Sequence, residues 1–281
     1  MPGSLVWQVG GILLENDYSP KEVISFTNAG DIILAGAYRD GYSAVVMADK
    51  PVGYWSLEEL TGPWAFDKTA ANNTGTVNGG VTLGEAGPLA NGLGTSMLFN
   101  GSNGYINVSG PDVVALASNK PMTLEIWMNL DGTTSENGSG GQANYGTLFE
   151  SNESSAGQGF NLAVNNTLQI WWWPSNGNDR VGEVLSLNTW YHVVLAVTGS
   201  KVSLYTNGVL NFTSSNIGQP AATFFRIGHQ SWVGGWFGGL LAEAAVYNYA
   251  LSSERVMAHY LAGITAFNRV DNTGNYFGGG A

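Results

Sequence analysis

Two tryptophan clusters are the residues of this chain best suited to hold a ligand. Ile170-Trp171-Trp172-Trp173-Pro174 runs into Ser175-Asn176-Gly177-Asn178-Asp179-Arg180, and His229-Gln230-Ser231-Trp232-Val233-Gly234-Gly235-Trp236-Phe237 sets two more indoles in a glycine-rich stretch. In a strand, alternation sends Trp171 and Trp173 to one face and Trp172 to the other. Flat indole faces stack on sugar rings while nearby amides and carboxylates take the hydroxyls, so Trp171, Trp173, Trp232 and Trp236 with Asn176, Asn178, Asp179 and Gln230 form a candidate glycan platform. The same residues read also as core or subunit interface, because tryptophans bury large areas.

Groups for acid–base or nucleophilic work are sparse. His192, His229 and His259 are scattered over a strand, a loop and a helix, so neither a metal triad nor a Ser-His-Asp set is expected. The acidic pairs Glu150 with Glu153 and Asp179 with Glu183 lie in apparent loops and read as solvated charges. A retaining glycosidase needs two carboxyl groups about 5–5.5 Å apart. No catalytic residue is expected, and the chain reads as a non-enzyme.

The elements that position these groups are mostly strands. Asn207-Gly208 between Lys201–Tyr205 and Leu210–Thr213 is a strong hairpin signal, since both turn positions tolerate positive φ. In Thr123–Leu130, Leu124, Ile126 and Met128 alternate with Glu125, Trp127 and Asn129, as in a strand that separates a core from a second surface. Trp190–Val197 is nearly all apolar, as in a central strand covered on both sides. One clear helix starts after Ser252, an N-cap with Glu254 in the first turn, and stops near Gly263.

Three regions follow. Residues 1–48 alternate short apolar runs, with Asn28-Ala29-Gly30-Asp31 as a turn, and read as a small β appendage for attachment or assembly. Residues 49–263 form the main domain, and residues 264–281, ending Gly278-Gly279-Gly280-Ala281, read as a glycine- and asparagine-rich arm. In the 281 residues only 11% are charged, well below the usual quarter, and 40 are glycine, a loop-rich β profile. The formal net charge of −11 repels phosphate backbones, so nucleic acid is set aside as a partner. The chain has no cysteine, which excludes disulfides and thiolate metal sites. The start lacks a basic n-region and no run of about twenty apolar residues occurs, so neither a secretory signal nor membrane insertion is expected. The Asn-x-Ser/Thr triplets at Asn72, Asn107, Asn165 and Asn211 are a by-product of composition.

Five segments in order carry a resemblance. They are Asp49-Lys50-Pro51-Val52-Gly53-Tyr54-Trp55 with Gly62, Ala65 and Asp67; Met97-Leu98-Phe99-Asn100-Gly101 leading to Tyr105–Val108; Thr123–Met128; Trp190–Val194 with Leu204–Gly208; and Gly238–Tyr247 running into the helix. Together they resemble the laminin-G-like branch of the concanavalin A-like lectin/glucanase superfamily, over roughly Asp49 to Gly263. The fold implied is all-β, a jelly-roll β-sandwich. Hydrolases of that fold carry Glu-x-Asp-x-x-Glu on one strand, and here Glu125 keeps the first position while Trp127 and Leu130 replace the other two carboxylates, which removes the machinery. Members of the branch often bind calcium. That implies Asp67 and Glu243 as candidate ligands of a structural calcium, although Ala242 stands where the partner aspartate would be.

The opening Ala48–Leu57 also resembles the start of jelly rolls in phage minor tail and decoration proteins. The resemblance implies a virion surface protein, assembled in the host cytoplasm, with other virion structural proteins and further copies of itself as partners and a cell-surface glycan as candidate ligand. The rival expectation is an extracellular carbohydrate-binding module of a bacterial surface system; a glycoside hydrolase ranks third.

Overall fold

A computed structural model describes residues 41–92, 94–109, 121–132, 146–151, 159–174, 179–217, 224–230 and 235–265, and only the backbone of four short strands in residues 1–40. Those four are β1 (Val6–Val9), β2 (Ile12–Glu15), β3 (Ile24–Phe26) and β4 (Ile32–Leu34), paired as two antiparallel hairpins. The expected turn falls between the last two. A short helix follows, α1 (Tyr42–Ala48).

The sandwich strands begin with β5 (Gly53–Trp55), β6 (Trp64–Ala65), β7 (Gly75–Asn78), β8 (Val81–Ala86), β9 (Thr95–Asn100) and β10 (Tyr105–Val108). The middle comprises β11 (Met122–Leu130), β12 (Gly146–Ser151), β13 (Phe160–Val164), β14 (Gln169–Pro174), β15 (Asp179–Val184), β16 (Trp190–Val197), β17 (Val202–Thr206) and β18 (Val209–Ser214). The chain closes with β19 (Phe225–Ile227), β20 (His229–Gln230), β21 (Gly235–Trp236), β22 (Gly238–Tyr247) and the helix α2 (Ser253–Ile264).

Two eight-stranded antiparallel sheets result. The first runs β18-β17-β16-β11-β22-β9-β8 with β5 also on β22, and the second runs β15-β14-β13-β12-β19-β10-β7-β6. Consecutive strands are spread over both sheets, which is jelly-roll connectivity. Between the sheets lies one core, with Leu124, Ile126 and Met128 from β11, Val193, Leu195 and Val197 from β16, Trp172 from β14 and Phe225 and Ile227 from β19. At one side the sheets are tied by Asn211 of β18, whose Nδ2 donates to Glu183 Oε2 of β15 at 2.9 Å. The predicted hairpin is β17–β18, with Asn207 and Gly208 at φ 52° and 79°.

The outer face of β11 is not a surface. It carries a second core of Trp127, Val194, Ala196, Ala242, Ala245 and Tyr247, closed by Tyr42, Val45 and Val46 of α1 and Val256 and Ala262 of α2. α2 starts where predicted, Ser252 Oγ accepting the Arg255 N–H at 3.4 Å. A Cβ at Gly263 would fall 2.4 Å from the Trp127 ring, so only glycine lets the helix end sit on that indole. Because α1 belongs to this core, the jelly-roll unit includes residues before Asp49, and the expected boundary of the attachment segment at residue 48 is corrected to one before Tyr42.

Candidate functional site

The groups that could do acid–base chemistry converge where the sequence suggested scatter. β11 aims Glu125 into the second core, β16 brings His192 and α2 brings His259. The Glu125 carboxylate accepts from Tyr42 Oη at 2.7 Å, Tyr247 Oη at 2.8 Å, His192 Nε2 at 2.8 Å and His259 Nδ1 at 2.9 Å. His259 Nε2 donates in turn to Asp49 Oδ2 at 2.9 Å, which also accepts from Arg255 Nε at 2.7 Å. Burial disfavours a charge on Glu125, yet the His259 charge and the two imidazole hydrogen bonds outweigh it and hold the carboxyl well below its usual range. Burial also opposes the His259 charge, but Glu125 and Asp49 on either side raise its pKa to about 9. His192 is lowered by burial, which its bond to Glu125 only partly offsets. Glu125, His192 and His259 are all 0% exposed. A substrate has no path to a carboxylate that already accepts from four side chains in a sealed layer, and the arrangement holds two helices on a sheet.

The outer face of the second sheet differs. Trp172 enters the core and donates its Nε1–H to Asn216 O at 3.1 Å, so Trp171 and Trp173 share the opposite face, ring centroids 6.4 Å apart and 15° from parallel. Register extends this face across the sheet: Trp173 opposes Asn161, Asn161 opposes Glu150, and Glu150 opposes Arg226. Arg226 opposes Asn107, which opposes Thr76, which opposes Trp64. The β20–β21 hairpin lies against β12 and stacks His229 on Trp236 at 3.5 Å, with Tyr105 5.9 Å from the indole. Arg226 sits 4.3 Å over the Phe224 ring and 5.5 Å from that of Tyr105. Burial, then the Arg226 charge, brings His229 down to about 4, so its imidazole is neutral.

Exposure sorts these residues. Trp171 is 6% exposed and offers no open ring face, which corrects its place in the platform, while Trp173, Trp236, Tyr105, Arg226 and Asn107 are half-buried. Thr147 Oγ1, Asn161 Oδ1 and His229 Nδ1 are buried without a hydrogen-bond partner among the described residues, a state that native proteins resolve with water or ligand. Asn176, Asn178 and Trp232 lie outside the described residues, as does Glu153, and of Asp179 only the backbone in β15 is described. Glu150 is no solvated loop charge: it lies in β12, 2% exposed, 3.8 Å from Arg226. Asp179 and Glu183 likewise belong to a strand. No local pattern links Tyr105 and Arg226, because the face assembles them from β10 and β19, far apart in sequence.

The expected calcium pair does not fit. Asp67 accepts from the backbone N–H of Tyr54, Thr69 and Asn73 at 3.0, 2.9 and 2.8 Å and from Thr69 Oγ1 at 2.9 Å, which fills both oxygens. Glu243 meets the hydroxyl at the far end of the same Tyr54, so one tyrosine spaces the two carboxylates apart. It sits in central strand β22, not at an edge. There a bulge sets Glu243 and Ala244 against Ile126, and Glu243 takes φ 55°. Burial raises its pKa to about 8, which leaves it protonated at neutral pH, unlike the carboxylates that bind hard cations. Among the described residues no cluster of three or more His, Asp or Glu has metal-binding geometry.

Fold and faces together define a lectin-like jelly roll. Residues 100–257 match Laminin_G_3 of the concanavalin A-like lectin/glucanases superfamily, and the chain belongs to that family. No curated protein matches the chain. Among solved structures it is similar to domain 4 of the extracellular GH43 arabinanase of Geobacillus stearothermophilus, solved with arabinotriose, at 21% identity over 75% of this chain and 98% of that one, TM-score 0.54. It is similar also to the botulinum neurotoxin serotype D binding domain, at 15% identity over 75% of this chain and 51% of that one, TM-score 0.55. The sialidase of Trypanosoma rangeli matches at 17% identity over 75% of this chain but only 32% of its own length, TM-score 0.56. At these identities the likeness is one of fold.

Proposed function

We propose that this protein is a non-catalytic glycan-binding module displayed on a virion surface. The observation that carries the binding reading is the half-buried set of Trp173, Trp236 and Tyr105 around a polar floor of Asn161, Arg226 and Asn107, on the one sheet face that no helix covers among the described residues. Rings supply stacking and the amides supply hydroxyl partners, the usual division of labour in a sugar site. Absence of turnover is supported by Glu125, the counterpart of a hydrolase carboxylate, being spent on holding helices. The arabinotriose complex of the similar arabinanase domain supports a carbohydrate ligand. Display on a virion is supported by the opening of the jelly roll, where Asp49, Tyr54 and Trp55 are structural anchors in the pattern that resembles phage tail and decoration proteins.

A glycan array probed with multivalent protein tests the binding reading, since many copies on one particle turn weak sites into avid ones. Trp173→Ala and Trp236→Ala should each abolish retention with an unchanged circular dichroism spectrum. An array on which no glycan is retained overturns the reading. Immunoelectron microscopy of purified particles tests the placement, and particles devoid of label would refute it.

A further inference from the structure

The outer face of the second sheet does not end at the clusters around Trp173 and Trp236. Beyond Arg226 the cross-strand row continues through Asn107 and Thr76 to Trp64 on the edge strand β6. Trp64 is 46% exposed and nearby Phe66 54%, large rings left bare at a sheet edge. Such exposure marks contact sites. Asn107 and Thr76 between them are half-buried, and Tyr105 and Asn78 oppose one another two residues along the same two strands, on the same face. With strands about 4.8 Å apart, the accessible stretch from Arg226 to Trp64 spans about 14 Å and the whole row about 29 Å, longer than one sugar ring can use.

Charge narrows the ligand. Within the row only Glu150 and Arg226 ionise, and they face one another at 3.8 Å; His229 beside them is neutral. Among the described side chains of the row, none offers an uncompensated cation to a carboxylate or sulfate. We infer that this face recognises an internal stretch of a linear, uncharged polysaccharide, laid across the strands, with Trp64 as the stacking station at its far end. The inference rests on the glycan reading above and adds the ligand's length and charge and the role of Trp64.

Affinity electrophoresis of the full chain through gels containing arabinan, xylan, glucomannan or mixed-linkage β-glucan, with polygalacturonate and carboxymethylcellulose as charged comparators, tests it. At least one neutral polymer should retard the protein, equally at low and high salt because no ion pair is involved. Trp64→Ala should weaken that retention by about tenfold or more, the effect of a true anchor. Because Trp64 is exposed, the variant should melt as the wild type does. Oligosaccharides of the retained polymer should bind more tightly from trimer to octamer in the wild type and lose that gain in Trp64→Ala. Retardation by the charged polymers alone overturns the inference, as does a trimer that binds as tightly as the octamer or a Trp64→Ala protein with undiminished retention; in each case glycan binding itself stands. If no polysaccharide and no array glycan is bound, the glycan reading falls and this inference with it.

Discussion

The two outer faces of this sandwich come from the same alternation of side chains and end in opposite states. The face of β11, β16 and β22 gathers a glutamate, two histidines, two tyrosines and an aspartate, a set that elsewhere would suggest acid–base chemistry, and seals them under α1 and α2. The face of β14, β13, β12, β19 and β10 has rings and amides, the Glu150–Arg226 ion pair among its described side chains, and half-open edges. The difference teaches that most of the described ionisable groups have been kept from ligand access in this fold: reactive-looking residues clamp helices, and the described side chains of the reachable face stack and hydrogen-bond. That separation is the physical basis of the proposed binding role.

The largest effect should come from unsealing the dry face. A fragment from Asp49 to Gly263 loses Tyr42, Val45 and Val46 and the Tyr42 donor to Glu125. At about 1.5–3 kcal/mol per buried apolar side chain the cost is comparable with the whole net stability of a domain. It should show no cooperative thermal transition, whereas a fragment begun at Asp40 should melt sharply. Equal melting of the two would mean that α1 is dispensable.

Next is the clamp itself. His259→Ala strips Glu125 and Asp49 of their shared buried cation, a change that costs about 3–5 kcal/mol when a buried pair is broken from one side. Chemical denaturation should register it, and a loss under about 1 kcal/mol would show that the pair is hydrated.

The pH profile is a gentler probe of the same face. His259, raised from 6.5 to about 9, lends stability that is complete below pH 6.5 and lost as pH climbs to about 9. Glu243, raised from 4.5 to about 8, acts in the same direction, its stability complete below pH 4.5 and gone above about 8. Glu125 and His192, both lowered, erode stability only on the acid side. The melting temperature should therefore fall steadily from pH 6.5 to 9, and Glu243→Gln should flatten the part below about 8. A melting temperature that rises over that interval would contradict both assignments.

Much of the frame was legible because it rests on short-range pattern. Asn207-Gly208, the Leu124/Glu125 alternation and the Ser252 cap each declare themselves within a few residues. α1 was not legible: Tyr42-Ser43-Ala44-Val45-Val46 follows a glycine and carries β-branched residues, so local preference favours a strand and only packing on Trp127 and Tyr54 makes it a helix. Nor could the clamp be read, since its hydrogen bonds join residues 67, 134 and 210 positions apart. The tryptophan alternation was right about direction. It could not say that Trp171 would be covered while Trp64, two residues from Phe66, would be bare.

The smallest expected effect is none at all, and it concerns the edge between the two faces. Asp67 is where the resemblance places a calcium ligand, but its oxygens are taken by three backbone N–H groups and a hydroxyl, which pin the turn after β6 to β5. A cation there would have to displace those donors and gain only a protonated Glu243 across Tyr54. A ligand that binds the native state alone raises its stability by mass action, so any real site would show in melting. Curves recorded with chelator and with millimolar calcium should superimpose, while Asp67→Ala should lower the transition equally in both, through the lost hydrogen bonds. A calcium-dependent rise in the wild type that disappears in Asp67→Ala would restore the metal and require the turn to open around it.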